Sequence, residues 1–234
     1  MSYRKIECRD CSARENSILG LCEVSELSSL SENKQCNIFK KGQVLFNEGN
    51  YAGGLFCINK GKVKIYKTGK DGKEQIIGFG QTGDFLGYRA LIAEQPHSTS
   101  VAALEDTVAC LIPKTEFYKL LEINPTVSKQ LMKSLCLELG IALEKIQSLS
   151  QKSVRERVAE TLLQLYETFN NLNNDQKIID ITLPREDIAN IAGTSTESLI
   201  RTLSEMKNEK LIELDGKKIK ILNLTKLENI AFQN

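Results

Sequence analysis

Residues 183–222, which read LPREDIANIAGTSTESLIRTLSEMKNEKLIELDGKKIKIL, constrain the fold of this chain more than any other segment. Two stretches with apolar residues at helical spacing flank a glycine, and two strand-like runs follow them. This order predicts a short helix, a turn, a second helix and a tight hairpin. Together these elements form a winged helix-turn-helix, a motif whose second helix enters the major groove of DNA.

The residues at the expected helix ends match the usual start and stop signals. Pro184 suits the first position of the first helix, where its missing N–H leaves no hydrogen bond unmade. Gly193 follows that helix at a point where glycine adopts a left-handed conformation with little strain. Thr194 stands three residues before Glu197, which is the spacing of a capping box. The second helix is therefore predicted to begin after Thr194.

The second of these helices is predicted to have one apolar and one polar face. Leu199, Leu203 and Met206 are spaced four and three residues apart and are expected to pack on the domain core. The turn signal Asp215-Gly216, of type I′, brings two lysines to the tip of the hairpin, where they can reach phosphates. The predicted DNA contacts are Arg185, Ser195, Thr196, Glu197, Ile200, Arg201, Lys217 and Lys218.

The charge of this region limits how it could hold DNA. Acidic residues slightly outnumber basic residues in 151–234, so the segment has no general electrostatic attraction for phosphate. Affinity would depend on a few placed contacts, doubled by dimerisation. The alternative is a ligand- or metal-binding regulatory module that acts on protein partners without specific DNA binding. The basic hairpin tip and the polar outer face of the second helix favour DNA.

Length and composition limit the remaining possibilities. A chain of 234 residues with a formal net charge of +1 suggests two domains. No apolar run approaches the roughly 18 residues of a membrane span, and residues 1–16 contain no apolar core of a signal peptide. We therefore expect a cytoplasmic protein without membrane contact, whose seven cysteines are thiols or ligands rather than disulfides. No nucleophile–base pair, phosphate-binding loop or carboxylate dyad indicates an enzyme.

The region from Asn37 to about Pro113 has the pattern of short strands with frequent turns. Glycines recur between apolar runs such as VLF, LFCI, VKIY and IIGF. Residues 61–79 predict a hairpin with its turn near Asp71-Gly72. Many short strands at such spacing favour a β-sandwich, roll or barrel.

A long helix is predicted between the strand-rich region and the winged motif. Apolar residues recur in three- and four-residue steps from residue 126 to about residue 150, as along a coiled-coil seam. The seam residues are Leu131, Leu135, Leu139, Ala142, Ile146 and Leu149. The alternative is an ordinary amphipathic helix packed on its own domain, although about 25 residues is long for one.

The chain after this helix is predicted to break once and then continue as a helix. Ser153 and Glu156 form a capping box for the next helix, so we expect a hinge near residues 151–153. A loop, FNNLNNDQK, and a strand, IIDITL, are expected to separate that helix from the winged motif.

The segment GTSTESLIR, which opens the second helix of the winged motif, resembles that of the CRP/FNR superfamily of bacterial transcription regulators. KKGQVLFNEG, GKVKIY and TGDFLG resemble its jelly-roll effector domain, so the likeness covers essentially the whole chain. The resemblance implies an α+β fold with an N-terminal, cyclic-nucleotide-binding-like jelly-roll β-domain, a long dimerisation helix and a C-terminal winged helix-turn-helix domain. The expected boundaries are 1–25 for a cysteine-containing segment, 26–125 for the effector domain, 126–150 for the dimerisation helix and 151–234 for the DNA-binding domain.

The resemblance also implies how DNA is read. Ser195, Glu197 and Arg201 match the S-x-E-x-x-x-R motif of the family. Its glutamate accepts from a cytosine N4 and its arginine donates to guanine O6 and N7. Thr196 stands where the cyclic-AMP receptor protein has an arginine, so the outer base preference is expected to differ. The implied regulator is a homodimer that binds palindromic promoter operators with TGA-like half-sites and works with RNA polymerase.

The effector pocket implied by the resemblance lacks residues that bind a cyclic nucleotide. In cyclic-nucleotide binders a G-x-x-G segment is followed by a glutamate and, about ten residues later, by an Arg-Ser or Arg-Thr pair. Here Tyr88 takes the first position and Ser98-Thr99 the second, so the phosphate-binding arginine is missing. Arg89, one position past the glutamate site, is expected on the opposite strand face. The predicted pocket residues are Tyr88, Arg89, Ser98 and Thr99, and cyclic AMP is not the expected effector.

GYRALIA and HSTSVAALEDTVACLIP look closer to the FNR branch, named after the fumarate-nitrate reduction regulator. That branch senses oxygen through a [4Fe–4S] cluster held by three N-terminal cysteines and one in the effector domain. Cys8-x-x-Cys11 and Cys110 match three of these positions, whereas Ser17 stands at the remaining one. With Cys22 as the substitute, the predicted ligands are Cys8, Cys11, Cys22 and Cys110. An iron–sulfur cluster, zinc, redox thiols and no metal at all remain open as alternatives.

The other cysteines have simpler expected roles. Cys57 and Cys136 lie among apolar residues and are predicted to be packed thiols. Cys36 precedes a predicted strand and has no expected partner. The only histidine, His97, is predicted to be a loop residue.

Overall fold

The computed structural model describes residues 7–15, 17–70, 72–169 and 183–232. The chain forms two compact units, Met1–Glu138 and Leu139–Asn234. Within the described ranges, no helix is both long enough and apolar enough to cross a membrane. The division of the chain into four segments stays a prediction.

The first unit contains the strand-rich region. Its described strands are β1 (Gln35–Phe39), β2 (Val44–Phe46), β3 (Gly54–Lys60), β4 (Lys62–Thr68), β5 (Glu74–Gln81), β6 (Phe85–Leu86), β7 (Ser100–Ala103) and β8 (Thr107–Pro113). They form two four-stranded antiparallel sheets, ordered β1-β8-β3-β6 and β2-β7-β4-β5. The prediction of a jelly-roll β-domain is confirmed.

The apolar core of this β-domain lies between its two sheets. Ile58 and Ala109 of one sheet and Val63 and Val101 of the other are at most 1% exposed. β3 and β8 are central strands, and most of their residues are buried because helices cover the outer face of their sheet. This explains why LFCI and VACLI are continuous apolar runs rather than alternating ones.

Four α-helices accompany the described strands of this unit. They are α1 (Val24–Asn33), α2 (Tyr88–Ile92), α3 (Lys114–Ile123) and α4 (Pro125–Gln151), and two short 3-10 helices, Cys8–Asp10 and Ile18–Leu21, precede α1. The predicted long helix is confirmed and extends one residue further at each end. Val127 and Leu131, near the start of α4, are buried with residues of α1 and α3. α4 continues into the second unit.

The second unit contains the predicted winged helix-turn-helix. Its described elements after α4 are α5 (Val154–Phe169), α6 (Arg185–Ala192), α7 (Thr196–Asn208), β9 (Ile212–Asp215), β10 (Lys218–Ile221) and α8 (Leu224–Phe232). β9 and β10 form the antiparallel hairpin. Leu199, Leu203 and Met206 of α7 are buried as predicted. The final helix, α8, was not predicted, and it packs on α5 with Leu227 buried.

The turn between α6 and α7 confirms one predicted signal and corrects another. Gly193 has φ +64 and ψ +45 at the end of α6, the expected left-handed conformation. The capping box from Thr194 is wrong, because Ser195 is the N-cap of α7 and its Oγ accepts from the Ser198 N–H at 3.2 Å. Pro184 is likewise the N-cap of α6 rather than its first residue.

The hairpin turn lies one residue later than predicted. Asp215 pairs with Lys218, so Gly216 and Lys217 are the turn residues. Gly216 has φ +55, whereas Lys217 does not have a positive φ. A type I′ turn requires positive φ at both central positions, so that assignment is wrong.

The break between α4 and α5 agrees with the predicted hinge. The Ser153 N–H donates to Glu156 Oε2 at 2.6 Å, and the Glu156 N–H donates to Ser153 Oγ at 3.3 Å. These reciprocal bonds confirm the capping box, and the Ser153 hydrogen bonds lower the pKa of Glu156. α4 ends at Gln151 and α5 begins at Val154.

Some predictions fall outside the described residues. The hairpin of 61–79 is confirmed by the pairing of β4 with β5, but Asp71 of its predicted turn is not described. The predicted loop at 169–177 and strand at 178–183 also lie almost wholly outside the described ranges.

Replacing Gly193 with alanine is expected to lower the free energy of unfolding by roughly 1–2 kcal/mol, measured by chemical denaturation. A Cβ is strained at φ +64 and would lie 2.3 Å from Leu149 Cδ2. Gly140→Ala is the control, because no neighbouring atom lies within 4 Å of its Cβ position and helix interiors favour alanine over glycine. Equal stability of the two variants would contradict this prediction.

Candidate functional site

The side of α7 that faces away from the core carries exposed residues along its first turns. Residues three and four apart share a helix face, so Glu197, Ile200 and Arg201 lie on one side and Leu199 and Leu203 on the other. Ile200 is 50% exposed, whereas Leu199 is 0% exposed. Among the described residues, no side-chain hydrogen bond or ion pair engages Glu197 or Arg201. The two predicted base readers therefore share an exposed face and are available for binding.

Ser195 and Thr196 form the start of this helix. Ser195 Oγ accepts from the Ser198 N–H and also donates to Ser198 Oγ at 3.0 Å. Its hydroxyl thus fixes the first turn of α7. Thr196 is partly exposed beside Glu197, at a helix end where backbone N–H groups lack helical partners.

Arg157 of α5 holds the turn that precedes α7. Its guanidinium donates to the carbonyl oxygens of Ala192 at 2.9 Å, Gly193 at 3.1 Å and Lys152 at 2.6 Å. The first two acceptors lie at the carboxyl end of α6, where carbonyls lack helical partners and a cation is favoured. Sequence reasoning missed Arg157, because its acceptors lie up to 36 residues away in the chain.

The hairpin tip is held against the start of α6. Arg185 donates to Gly216 O at 3.0 Å and to Lys217 O at 3.2 Å, and burial lowers the pKa of Arg185. The side chains of Lys217 and Lys218 are exposed. The structure therefore brings these predicted residues together, with Arg185 bonded to the turn that presents the two lysines.

A cavity of about 50 Å³ lies beside α2 in the first unit. The four predicted pocket residues all line it: Tyr88, Arg89, Ser98 and Thr99. His97, a loop residue as predicted, also lines it and stacks on Phe46 with ring centroids 3.9 Å apart. Burial lowers the pKa of His97.

Arg89 is not on the side of the chain that was predicted. Tyr88 and Arg89 begin helix α2 rather than continuing a strand, so strand alternation does not apply to them. Both contact Glu138 of α4. The Tyr88 hydroxyl donates to Oε1 at 2.5 Å, and Arg89 Nη1 lies 3.7 Å from Oε2. The pocket wall is therefore joined to α4 by a hydrogen bond and an ion pair.

The predicted metal ligands do not form one site. Cys110 is bonded to Cys36 in a disulfide across the β1–β8 pair. This bond corrects the expectation of free thiols and of a partnerless Cys36, and it leaves Cys110 without a free thiolate. Burial raises the pKa of Cys22 to about 12. In the described part of the chain, no three His, Cys, Asp or Glu side chains are placed to hold a metal ion.

A [4Fe–4S] cluster requires four thiolates that converge on one point. Ser17, at the family's third N-terminal position, caps the 3-10 helix Ile18–Leu21 by accepting from the Leu19 N–H at 3.2 Å. Cys8 is buried, and its Sγ accepts a hydrogen bond from Lys34 Nζ at 3.2 Å. With Cys110 in a disulfide, the residues as placed do not fit the cluster that the resemblance implies.

The two remaining thiols differ in their surroundings. Cys57 is buried as predicted, and burial raises its pKa to about 12. Cys136 is exposed on α4, so its predicted packing is wrong.

Two family models match the chain. The cyclic nucleotide-binding domain matches residues 37–124, and the Crp-like helix-turn-helix domain matches residues 156–230. The first match contains most of the pocket residues, and the second contains the exposed face of α7.

Relatives are similar over nearly the whole chain. The fumarate and nitrate reduction regulatory protein of Vibrio cholerae is 31% identical over 97% of this chain and 90% of its own length. Electron transport regulator A of Shewanella oneidensis is 32% identical with the same coverage. Among solved structures, FixK2 from Bradyrhizobium japonicum has a TM-score of 0.73 at 24% identity. It covers 86% of this chain and 98% of its own, which shows a shared fold.

Arg157→Ala is expected to lower the free energy of unfolding by about 2–3 kcal/mol, because three carbonyl oxygens lose a charged donor. Chemical denaturation measures this change. Arg155 is the matched control, since its guanidinium makes a surface ion pair with Glu209, and such pairs contribute little. If Arg157→Ala were no more destabilising than Arg155→Ala, packing alone would hold the turn.

Proposed function

Since this chain belongs to the CRP/FNR family of DNA-binding transcription regulators, we propose that it binds palindromic promoter operators as a homodimer. In this proposal a signal at the first unit controls binding. The observation that carries the proposal is the outward face of α7. Glu197 and Arg201 are exposed there, and within the described ranges no side-chain partner engages them.

Glu197 and Arg201 are proposed to read base edges in the major groove. A carboxylate accepts from cytosine N4, and a guanidinium donates to both O6 and N7 of guanine. Both residues lie in the first turns of α7, the part of a recognition helix that reaches base edges. This pair supports TGA-like half-sites. Thr196, beside Glu197 at the helix start, is proposed to set the outer base preference.

The neighbouring polar residues are proposed to position α7 on the DNA backbone. Lys217 and Lys218 are exposed at the hairpin and can reach phosphates. Arg185 fixes the carbonyls of that hairpin turn, and Ser195 fixes the start of α7. Because acidic residues slightly outnumber basic ones in 151–234, two copies of this small contact set would be needed for tight binding.

The second half of α4 supports dimerisation. Leu139, Ile146 and Leu149 are 61%, 64% and 47% exposed, at the spacing of a coiled-coil seam. A large exposed apolar stripe marks an interaction surface. We propose that a second copy of α4 covers it across a two-fold axis, so that the operator is an inverted repeat.

We propose that the controlling signal is the redox or electron-acceptor state of the cell. The relatives named above are regulators of fumarate and nitrate reduction and of electron transport, which supports this class of signal. Glu138 joins the pocket wall to α4, so a change in the first unit could bias the dimer helix.

RNA polymerase is the proposed protein partner. The cytoplasm is the proposed location, because promoters are found there.

Arg201→Ala is expected to weaken operator binding by roughly 1–3 kcal/mol and to relax the preference for guanine at one position per half-site. Fluorescence anisotropy titrations with operator duplexes altered at that base measure both effects. Lys217→Ala is the contrasting variant, expected to weaken operator and random DNA alike and to reduce the salt slope by about one per contact. An equal loss on operator and random DNA for Arg201→Ala would identify a phosphate contact instead.

A further inference from the structure

A row of three cysteines crosses one sheet of the first unit. Cys36, Cys110 and Cys57 are directly opposite one another on β1, β8 and β3. Opposite residues of antiparallel strands point to the same face, with Cβ atoms about 4.5–5.5 Å apart. Cys8 and Cys22 pack with Cys57 in the apolar core that covers this face. Five cysteines therefore lie at or near this face of the sheet, beneath the N-terminal segment.

The cysteines of this row differ in their access to solvent. β1 is one of the two edge strands of its sheet, and Cys36 on it is only partly buried. Cys110 and Cys57, on the two strands further in, are 6% and 5% exposed. A reactant from solvent therefore reaches the Cys36 sulfur first. Because the bacterial cytoplasm keeps thiols reduced, a disulfide in a cytoplasmic regulator is more often a redox element than a structural bond.

We infer that Cys36 and Cys110 form a reversible dithiol–disulfide site, with Cys36 as the point of attack and a protein or small-molecule dithiol as co-reactant. One thiolate of the dithiol attacks Cys36 Sγ, the S–S bond breaks, and Cys110 leaves as a thiolate that takes up a proton. The second thiolate of the dithiol displaces Cys36, which is protonated in turn. The protein gains two electrons and two protons, and the dithiol becomes a disulfide. The reverse sequence reoxidises the pair.

The bond links an edge strand to a strand that leads towards α4. β8 ends at Pro113 and α3 begins at Lys114, directly before α4. Reduction removes the covalent link but leaves the β1–β8 backbone pairing from Gln35 to Phe39. The redox state therefore changes how firmly β1 is held without dismantling the sheet.

The test equilibrates the full-length Cys136→Ser variant, which lacks the exposed thiol, with mixtures of reduced and oxidised dithiothreitol under argon. Acid quenching, alkylation and peptide mass spectrometry give the state of each cysteine. Without denaturant, Cys36 and Cys110 are expected to be reduced and oxidised together. The ratio of their dithiol form to their disulfide form is expected to change tenfold for each tenfold change in the ratio of reduced to oxidised dithiothreitol. Adding Cys57→Ser to this variant is expected to leave the response of Cys36 and Cys110 unchanged. Adding Cys36→Ser instead is expected to leave Cys110 as a free thiol in every mixture.

Four results would overturn the inference. A bond that resists reduction until denaturant is added would be structural. Pairing of other cysteines, or a Cys36–Cys110 pair that stays free in the most oxidising mixture, would assign no redox site here. Anaerobically purified protein with iron and sulfide bound through Cys110 would replace the disulfide site with a cluster.

A second observation, independent of the cysteines, concerns Ile200 and rests on the proposed function. Ile200 is half exposed on α7, on the face that carries Glu197 and Arg201. Ser204, one turn later on this face, bonds its hydroxyl to the Ile200 carbonyl at 2.8 Å and is exposed. Ile200 is thus a large apolar side chain among polar ones, where a recognition helix meets base edges.

The geometry points to Ile200 as a reader of a thymine methyl group. In the major groove the thymine C5-methyl is the apolar feature that distinguishes base pairs, and apolar side chains contact it. Isoleucine is β-branched and stiff at χ1, so its methyl groups are held in place beforehand. Ile200 therefore adds a preference for thymine next to the bases read by Glu197 and Arg201.

The test uses deoxyuridine, which differs from thymidine only by that methyl group. Each thymine of an operator selected from random DNA is replaced in turn, in both half-sites, and dissociation constants are measured for the wild type and Ile200→Ala. One position is expected to weaken wild-type binding by about fourfold per half-site, the value of one buried methyl group. Ile200→Ala is expected to be insensitive to deoxyuridine there and unchanged in its sensitivity at other thymines.

Equal sensitivity of wild type and Ile200→Ala at every thymine would overturn this inference while leaving the proposed function in place. If the wild type selects no operator, both the inference and the proposed function fail. Circular dichroism of Ile200→Ala confirms that the variant is folded, as expected for an exposed position.

Discussion

Burial of Leu199, Leu203 and Met206 beneath α7 is the interaction on which the exposed face of α7 depends. A helix has 3.6 residues per turn, so burying this side leaves Glu197 and Arg201 on the opposite side. Each buried side chain of this size contributes roughly 1.5–3 kcal/mol, so turning the helix to present other residues would cost several kcal/mol. The core therefore decides which polar side chains are available to DNA, although it never contacts DNA itself.

A shared fold does not imply a shared ligand, so the ligand of the first unit depends on its own residues. Its residues match a cyclic nucleotide-binding domain, and its pocket lies beside α2. The pocket nevertheless has Tyr88 and Arg89 bonded to Glu138 and a volume of about 50 Å³. The cysteines also differ from the implied cluster site. Ser17 stands at one ligand position, and Cys110, at another, is bonded to Cys36 in a disulfide. The β-domain is retained, but the residues that line its pocket and the placement of its cysteines differ from the implied patterns.

Periodic signals predicted the strand-rich region, the long helix α4 and the winged motif, but not helices α1, α2, α3 and α8. Contacts between distant residues could not be predicted. Helical spacing indicated the buried side of α7 and the length of α4. Arg157 and its Gly193 acceptor are 36 residues apart, and the disulfide joins residues 74 apart, so no local pattern contains either contact. Two predictions from local patterns were wrong. Thr194 and Ser195 can both cap α7, and Ser195 is the residue that does so. The predicted strand face of Arg89 assumed that the strand continues past Gly87, but Gly87 has φ +89 and helix α2 begins directly after it.

Selection of binding sites from a random duplex pool by the full-length protein tests the central claim most directly. That claim is that two exposed α7 faces, one from each copy of the chain, read DNA together. The predicted result is an inverted repeat whose TGA-like half-sites are centred one turn of the double helix apart, about 10 base pairs. A single unrepeated site, or no enrichment over the starting pool, would contradict it.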